Sequence, residues 1–425
     1  MTQLLEALAG RITPEMEHTA QMENVSPKLI QSAVAAGTVV IPKNRLRREI
    51  AACAIGKDLR TKVNALIGTS DDLSDQDMEV RKLRTAVVAG ADAVMDLSTG
   101  GDIDGMRQKS LRTVNVPVGS VPVYQAATWA MEKQGSIVDM TPDDMFSAIE
   151  LQAADGVDFM AIHCALNFDV LARLERTGRV TDIVSRGGAL LTGWMLHNHR
   201  ENPLYEQYDR VLAILKAYDV TLSLGDAIRP GCVADSLDGA QVQGLLVAGE
   251  LVRRARAAGV QVMVEGPGHV PMHQVEATIG LQKRICHDAP YFVLGTLVTD
   301  VAPGYDHITA AVGGALAGAA GADFICYVTP AEHLGLPSED DVHSGVMAAR
   351  VAAHAADLSK GVRGSAERDL AMARARASGD PAVQAELAID PAVFADRLNC
   401  AQNAPCRLCG DECAVKIGLA YLANP

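Results

Sequence analysis

The last twenty residues of this 425-residue chain carry Cys406-Arg407-Leu408-Cys409-Gly410-Asp411-Glu412-Cys413, three thiols spaced C-x2-C-x3-C. Three thiolates on so tight a loop can ligate three irons of a 4Fe–4S cube. The fourth iron then lacks a protein ligand and can bind the amino and carboxylate groups of S-adenosylmethionine. From there one electron can reach the sulfonium and release a 5'-deoxyadenosyl radical. A zinc knuckle completed by Cys400 or a histidine is the competing reading of the same thiols. The remaining cysteines, Cys53, Cys164, Cys232, Cys286 and Cys326, are scattered and read as small buried hydrophobes.

A second group of reactive side chains follows short apolar runs. Met95-Asp96-Leu97-Ser98-Thr99-Gly100-Gly101, Tyr124, His163, Ser185-Arg186-Gly187-Gly188, Asp226 to Gly231, Glu265 to His269 and Thr299-Asp300 all stand where a predicted strand stops. Ser185-Arg186-Gly187-Gly188 offers a hydroxyl, a guanidinium and unobstructed N–H groups at a helix start, which suits a phosphate. Thr99-Gly100-Gly101 is a weaker version of the same arrangement. His269 and His333 each lie just beyond an apolar strand and are candidate zinc ligands. His163, Glu265 or Asp300 could add a third nitrogen or a carboxylate.

These residues are distant in sequence, so the elements between them must bring them together. From about 60 to 330, apolar runs alternate with helical patterns, the signature of βα units. Candidate strands cover 62–67, 91–97, 116–124, 158–163, 182–185, 221–225, 261–265, 291–295 and 323–328. A closed (β/α)8 barrel has eight places, so one of the nine candidates must lie outside it. In such a barrel the carboxyl ends of all strands share one mouth, where seven polar clusters can meet one substrate. Residues 1–58 read as a helical lead-in, with Ser26-Pro27 opening a helix, Gly37 closing it and Val39-Val40-Ile41 forming a short strand. Residues 59–360 form the barrel. Beyond 361 an alanine-rich helix over 366–378, with Pro381, Pro391 and Pro405 after it, reads as an arm bearing the cysteine cluster.

Composition agrees with this class. The chain is 48% hydrophobic but 4% aromatic, favouring small side chains that pack helices closely on a buried parallel sheet. A formal net charge of -14 with interspersed signs argues against a nucleic-acid partner. No apolar run reaches the roughly 18 residues of a membrane span, and the first residues lack the basic and apolar regions of a signal peptide. The cysteines do not pair neatly, which points to a cytoplasmic protein with a metal site rather than a disulfide framework.

Longer strings resemble one family. Met95-Asp96-Leu97-Ser98-Thr99-Gly100, Val121-Pro122-Val123-Tyr124-Gln125-Ala126, Val184-Ser185-Arg186-Gly187-Gly188 and Ser223-Leu224-Gly225-Asp226 are similar to segments of the phosphomethylpyrimidine synthase (ThiC) family. So are Glu265-Gly266-Pro267-Gly268-His269-Val270-Pro271-Met272-His273, Ala302-Pro303-Gly304-Tyr305-Asp306-His307-Ile308-Thr309, Cys326-Tyr327-Val328-Thr329-Pro330 and Glu332-His333-Leu334-Gly335-Leu336-Pro337. The resemblance implies a (β/α)8 barrel with a C-terminal iron–sulfur arm and a homodimer. It implies aminoimidazole ribotide bound by Met95, Tyr124, His163, Ser185, Arg186, Gly187, Asp226, Arg229 and Glu265. It also implies zinc on His269 and His333, a 4Fe–4S cluster on Cys406, Cys409 and Cys413, S-adenosylmethionine, and a one-electron reductant.

The chain departs from that pattern at informative places. Leu66 stands where the family has a substrate-binding Asn, and Phe292 where it has Tyr, with Tyr291 adjacent. Thr296 replaces a Pro, and Cys164-Ala165-Leu166 replaces a glycine-containing turn. The cysteine loop is one residue shorter than the common C-x2-C-x4-C. Leu66 removes donors and acceptors from a site that would touch a polar ribotide, at roughly 1–3 kcal/mol for each group left unpaired. A remodelled pocket around an unchanged substrate is what a different rearrangement needs. The family that the chain resembles contains a branch that takes the same ribotide to 5-hydroxybenzimidazole, a cobalamin lower-ligand base; the departures make that the expected product, with the thiamin pyrimidine as the alternative.

Overall fold

A computed structural model describes residues 1–48, 50–70, 72–400 and 413–422. The chain divides into two compact units, Met1–Lys360 and Gly361–Pro425. In the first unit, β1 (Val39–Val40) and β2 (Ile55–Gly56) form an antiparallel ribbon. Eight further strands follow: β3 (Lys62–Ile67), β4 (Ala93–Asp96), β5 (Val118–Ser120), β6 (Phe159–Ile162), β7 (Thr221–Leu224), β8 (Val262–Gly266), β9 (Tyr291–Leu294) and β10 (Phe324–Cys326). They close as β10-β3-β4-β5-β6-β7-β8-β9, every neighbouring pair parallel. The strands are runs of Val, Ala, Ile, Leu and Phe because both faces are covered, the inner by opposing strands and the outer by helices.

The predicted strand over 182–185 is the one that does not exist. β6 pairs directly with β7, Phe159 against Thr221, which leaves no gap for an intervening strand. Asp182 sits at φ 45, and Ser185 is the N-cap of the helix Arg186–Asn198. The backbone N–H groups of Val180 and Thr181 go to the carboxylate of Asp235, each at 2.9 Å, instead of a sheet partner. Tyr124 also moves. Its strand stops at Ser120, Pro122 starts a helix (Pro122–Gln134), and Tyr124 lies in that helix's first turn.

Helices pack closely because their contact faces are small. The helix Asp306–Ala319 turns Gly313, Gly314 and Gly318 inward, and a Cβ on Gly313 would stand 1.8 Å from the Thr296 carbonyl oxygen. A Cβ on Gly318 would stand 2.6 Å from the Ala356 Cβ of the helix Glu339–Lys360. This explains how a chain poor in aromatics fills its core.

The N-terminal helices Gln3–Leu8, Pro14–Met22 and Pro27–Ala36 share their own apolar cluster with Val39 of β1 and with Ala54 and Leu59, which flank β2. Ser26 caps the third, Pro27 opens it and Gly37 closes it at φ 74. This layer is bonded to residues just before the barrel strands. The Asn44 N–H donates to Asp158 at 2.9 Å, that of Gln3 to Asp219 at 3.0 Å, and that of Ile41 to the Gln261 side chain at 2.7 Å. Residues before a strand mark the barrel's amino-terminal end, so the first 58 residues cover its floor and leave the opposite mouth open.

The second unit consists of the helices Ser365–Ser378, Pro381–Leu387, Pro391–Cys400 and Ala414–Leu422. Cys406 and Cys409 lie outside the described residues. Cys413 precedes the last helix, and its carbonyl accepts the Ile417 N–H at 2.9 Å. Among the described residues no helix is long and apolar enough to cross a membrane.

Candidate active site

Strand register places the site at the carboxyl ends of the strands. Leu66 pairs with Met95 across β3 and β4, and Glu265 with Phe292 across β8 and β9. These four line one cavity with Tyr124, His163, Asp226 and Arg229, enclosing about 520 Å³ of space with its open mouth included. Leu97, Val121, Val293, Leu294 and Cys326 also line it, so apolar and charged groups share the cavity wall.

His163 is deeply buried in the site. It ends β6, and glycines flank its ring: a Cβ on Gly187 would stand 2.2 Å from Cε1, and one on Gly225 2.8 Å from Cδ2. Its Nε2 lies 3.3 Å from the Ser185 hydroxyl, and its buried Nδ1 has no partner among the described residues. Burial, reinforced by the positive charge of Arg229, lowers its pKa to about 3, so the imidazole is neutral and able to meet a substrate group.

Two carboxyl groups face the same space. Burial raises the Glu265 pKa to about 7, although the Ser223 hydroxyl donates to it at 2.9 Å and Arg229 opposes the rise. Burial likewise raises Asp226 to about 6 against the pull of Arg229 and Arg179. Such carboxyls can hold or release a proton near neutrality. The Tyr124 phenol is raised by burial, with Arg229 and Arg186 opposing.

Ser185, Arg186 and Gly187 do not line the cavity but adjoin two residues that do, Ser185 beside His163 and Arg186 near the Tyr124 ring. The Ser185 hydroxyl accepts the Gly188 N–H at 3.2 Å, the bond of a helix cap. The N–H groups of Arg186 and Gly187 have no preceding turn to donate to, and the Arg186 guanidinium lies 5.5 Å from the Tyr124 ring centre. A helix start with a cation beside it is an arrangement able to attract an anion. In the weaker candidate the Thr99 N–H donates to Thr69 O, and the Gly100 carbonyl accepts the Thr69 hydroxyl.

His269 and His333 meet with ring centres 5.4 Å apart. The Nδ1 of His269 is 2.7 Å from Asp300, and that of His333 is 2.8 Å from Asp306. Each carboxylate is itself anchored, Asp300 by the Val233 N–H at 2.9 Å and Asp306 by the Gly304 N–H at 3.1 Å. Nδ1–H bonds to carboxylates orient both rings and leave the Nε2 lone pairs as ligands, the arrangement that metal-binding histidines use. The pair therefore fits a divalent metal with open positions. Asp300 stands behind a ligand rather than beside it, and His163 is held between its glycines. Among the described residues no three histidine, cysteine or carboxylate groups converge as a metal site.

The chain belongs to the radical SAM ThiC family, which matches residues 2–419. It is accordingly a radical S-adenosylmethionine enzyme, and membership implies that cofactor and a 4Fe–4S cluster. It is 65% identical over 422 residues to the 5-hydroxybenzimidazole synthase BzaB of Moorella thermoacetica, covering 99% of each chain. A phosphomethylpyrimidine synthase of the same organism is 58% identical over 429 residues, covering 100% of this chain and 99% of its own. One from Thermoanaerobacter sp. is 56% identical over 427 residues, with the same coverage.

Sequence reasoning missed several site residues. Asp306 stood in a quoted string with no role, and its aim at His333 follows from how the helix Asp306–Ala319 begins. Cys326, read as a small core residue, lines the cavity, with the Asn64 amide donating to its sulfur at 3.6 Å. Leu97, Val293 and Leu294 carried no signal, because an apolar wall residue has the same sequence pattern as a core residue. Thr296 adopts φ 65, closed to the Pro of the family pattern, so this loop has its own course.

Proposed function

We propose that this enzyme converts aminoimidazole ribotide to 5-hydroxybenzimidazole. The observation that carries the reading is that Leu66 and Phe292 line the same cavity as Asp226, Arg229 and Glu265, Phe292 standing beside Glu265 in register. A ribotide has hydroxyls that these apolar side chains leave without partners, whereas a fused aromatic bicycle lies against them at no such cost. The greater identity to a 5-hydroxybenzimidazole synthase than to a pyrimidine synthase of the same organism supports the same choice.

The chain's own residues then have distinct tasks. Arg186, Ser185 and the N–H groups of Arg186 and Gly187 hold the phosphate. Neutral His163 meets a polar group of the substrate without adding charge. Glu265 and Asp226 hold the aminoimidazole edge and can exchange a proton with it. Leu66, Leu97, Phe292 and Leu294 exclude water from the reacting carbons. The cluster on Cys406, Cys409 and Cys413, with S-adenosylmethionine, supplies the hydrogen-abstracting radical when bound. His269 and His333 would hold zinc through Nε2.

The test is anaerobic incubation of the reconstituted, reduced protein with S-adenosylmethionine and the ribotide, with products identified by mass. A phosphate-free bicyclic product is expected. A phosphorylated aminopyrimidine would assign the chain to the pyrimidine branch, and absence of 5'-deoxyadenosine would remove the radical reading altogether.

A further inference from the structure

The segment 178–185 ends in the phosphate-binding helix start, and the loop 226–238 begins with Asp226 and Arg229. Neither belongs to the barrel wall, yet both must be held to a fraction of an ångström if Ser185, Arg186, Asp226 and Arg229 are to meet one substrate. The side chain between them is Arg179, fully buried, which neither the family resemblance nor the strand pattern singled out.

Its guanidinium is engaged on every edge. Nε donates to Asp238 Oδ2 at 2.6 Å and Nη2 to Asp238 Oδ1 at 2.9 Å, a two-pronged carboxylate pair. Nη1 donates to two carbonyl oxygens, Ile228 at 2.6 Å and Asp182 at 3.2 Å. Ile228 sits between Asp226 and Arg229, and Asp182 lies three residues before Ser185. Asp238 is also the N-cap of the helix Gly239–Ala258, accepting the Gln241 N–H at 2.7 Å, so the anchor is rigid. Asp235 adds a parallel tie, accepting Thr181's N–H at 2.9 Å and its hydroxyl at 2.8 Å. A Cβ on Gly231 would stand 2.1 Å from Val184, so the two segments already touch.

We infer that Arg179 is a positioning residue for the substrate site, locking the phosphate-binding helix start to the loop that carries Asp226 and Arg229. A planar fork with donors on three sides is needed to reach one carboxylate and two carbonyls from different segments. Lysine keeps the charge but reaches one of these partners at a time. The inference rests on the ribotide reading and adds the device that holds that site together.

The experiment measures ribotide binding by calorimetry on the full-length protein, with thermal melting alongside, for wild type, Arg179→Lys and Arg47→Lys. Arg47 is the control: its guanidinium pairs with Asp158 and caps the carbonyls of Val114 and Val116 at the opposite end of the barrel. R179K should bind the ribotide about tenfold or more weakly, since small displacements of binding groups carry penalties of that order. In turnover the loss should fall on KM rather than kcat, because both segments contribute binding. R47K should lower the melting temperature yet bind within about twofold of wild type, as expected for independent sites. Should R179K not fold, Asp238→Asn reads the same prediction at smaller amplitude, since it keeps the cap oxygen and halves the pairing. Wild-type-like binding by R179K, or equal weakening by R47K, overturns the inference. Failure of the wild-type protein to bind the ribotide overturns the functional reading and this inference with it.

Discussion

Gly187→Ala tests whether the helix start and His163 form one rigid unit. The added methyl would stand 2.2 Å from Cε1, 2.6 Å from Nδ1 and 2.8 Å from Nε2 of His163. The ring has little room to retreat, because the Gly225 backbone passes close enough that a Cβ built there would be 2.8–3.0 Å from it, and Ser185 holds Nε2. Relief must therefore come from the helix start, moving Ser185 and the N–H groups of Arg186 and Gly187. Overpacking of this kind costs about 1–3 kcal/mol of stability, and a shift approaching 1 Å can cost on the order of a hundredfold in productive binding. The assay is a double-mutant cycle with His163→Ala, read by denaturant unfolding and by ribotide calorimetry. If the clash is with the imidazole, G187A should destabilise the wild-type background by about 1–3 kcal/mol and the H163A background by much less. Additive effects would refute the reasoning, as would wild-type affinity in G187A.

Three further predictions follow from other parts of the molecule. Leu66→Asn puts an amide into the apolar wall; it should cost about 1–3 kcal/mol of stability in the free enzyme and shift the product mixture toward the pyrimidine by mass, an unchanged mixture arguing that the wall does not steer the reaction. Asp300→Asn and Asp306→Asn should weaken zinc binding about 10–100-fold by removing the carboxylates that orient His269 and His333, measured by metal titration with plasma emission analysis. Burial raises Asp219 to about 7 from an ordinary 3.8, with the Gln3 N–H and Arg45 opposing. Its protonated form is then favoured in the folded state, so stability should fall as pH rises from about 4 to 7, by at most about 4 kcal/mol. Asp219→Asn keeps an acceptor for Gln3 and tolerates φ 58; it should flatten that slope and exceed wild type in stability above pH 7, which urea unfolding across pH will show.

The barrel strands were legible because a parallel sheet buried on both faces demands continuous Val, Ile, Leu and Ala runs. The segment 182–185 carries the same local signal, Ile183-Val184, yet is no strand. Ile183 is only partly buried and Val184 is exposed, and an apolar pair this short cannot separate a loop from a strand of four residues. Tyr124 was placed one element early because an extended run before a proline reads as strand, while the proline itself opens a helix. The Ser26, Pro27 and Gly37 signals of the third N-terminal helix were read correctly, since caps depend on local chemistry alone.

By itself, the sequence determined the class of chemistry and the family, because thiol spacing, glycine-flanked polar strings and paired histidines are local properties of residue type and order. Tertiary structure alone decided which atoms face one another. It set Asp300 and Asp306 behind the histidines, enclosed His163 between Gly187 and Gly225, joined two distant loops through Arg179, and turned Cys326 into the cavity. These depend on strand register, barrel closure and the course of long crossovers, which many distant contacts set together and no window of sequence contains.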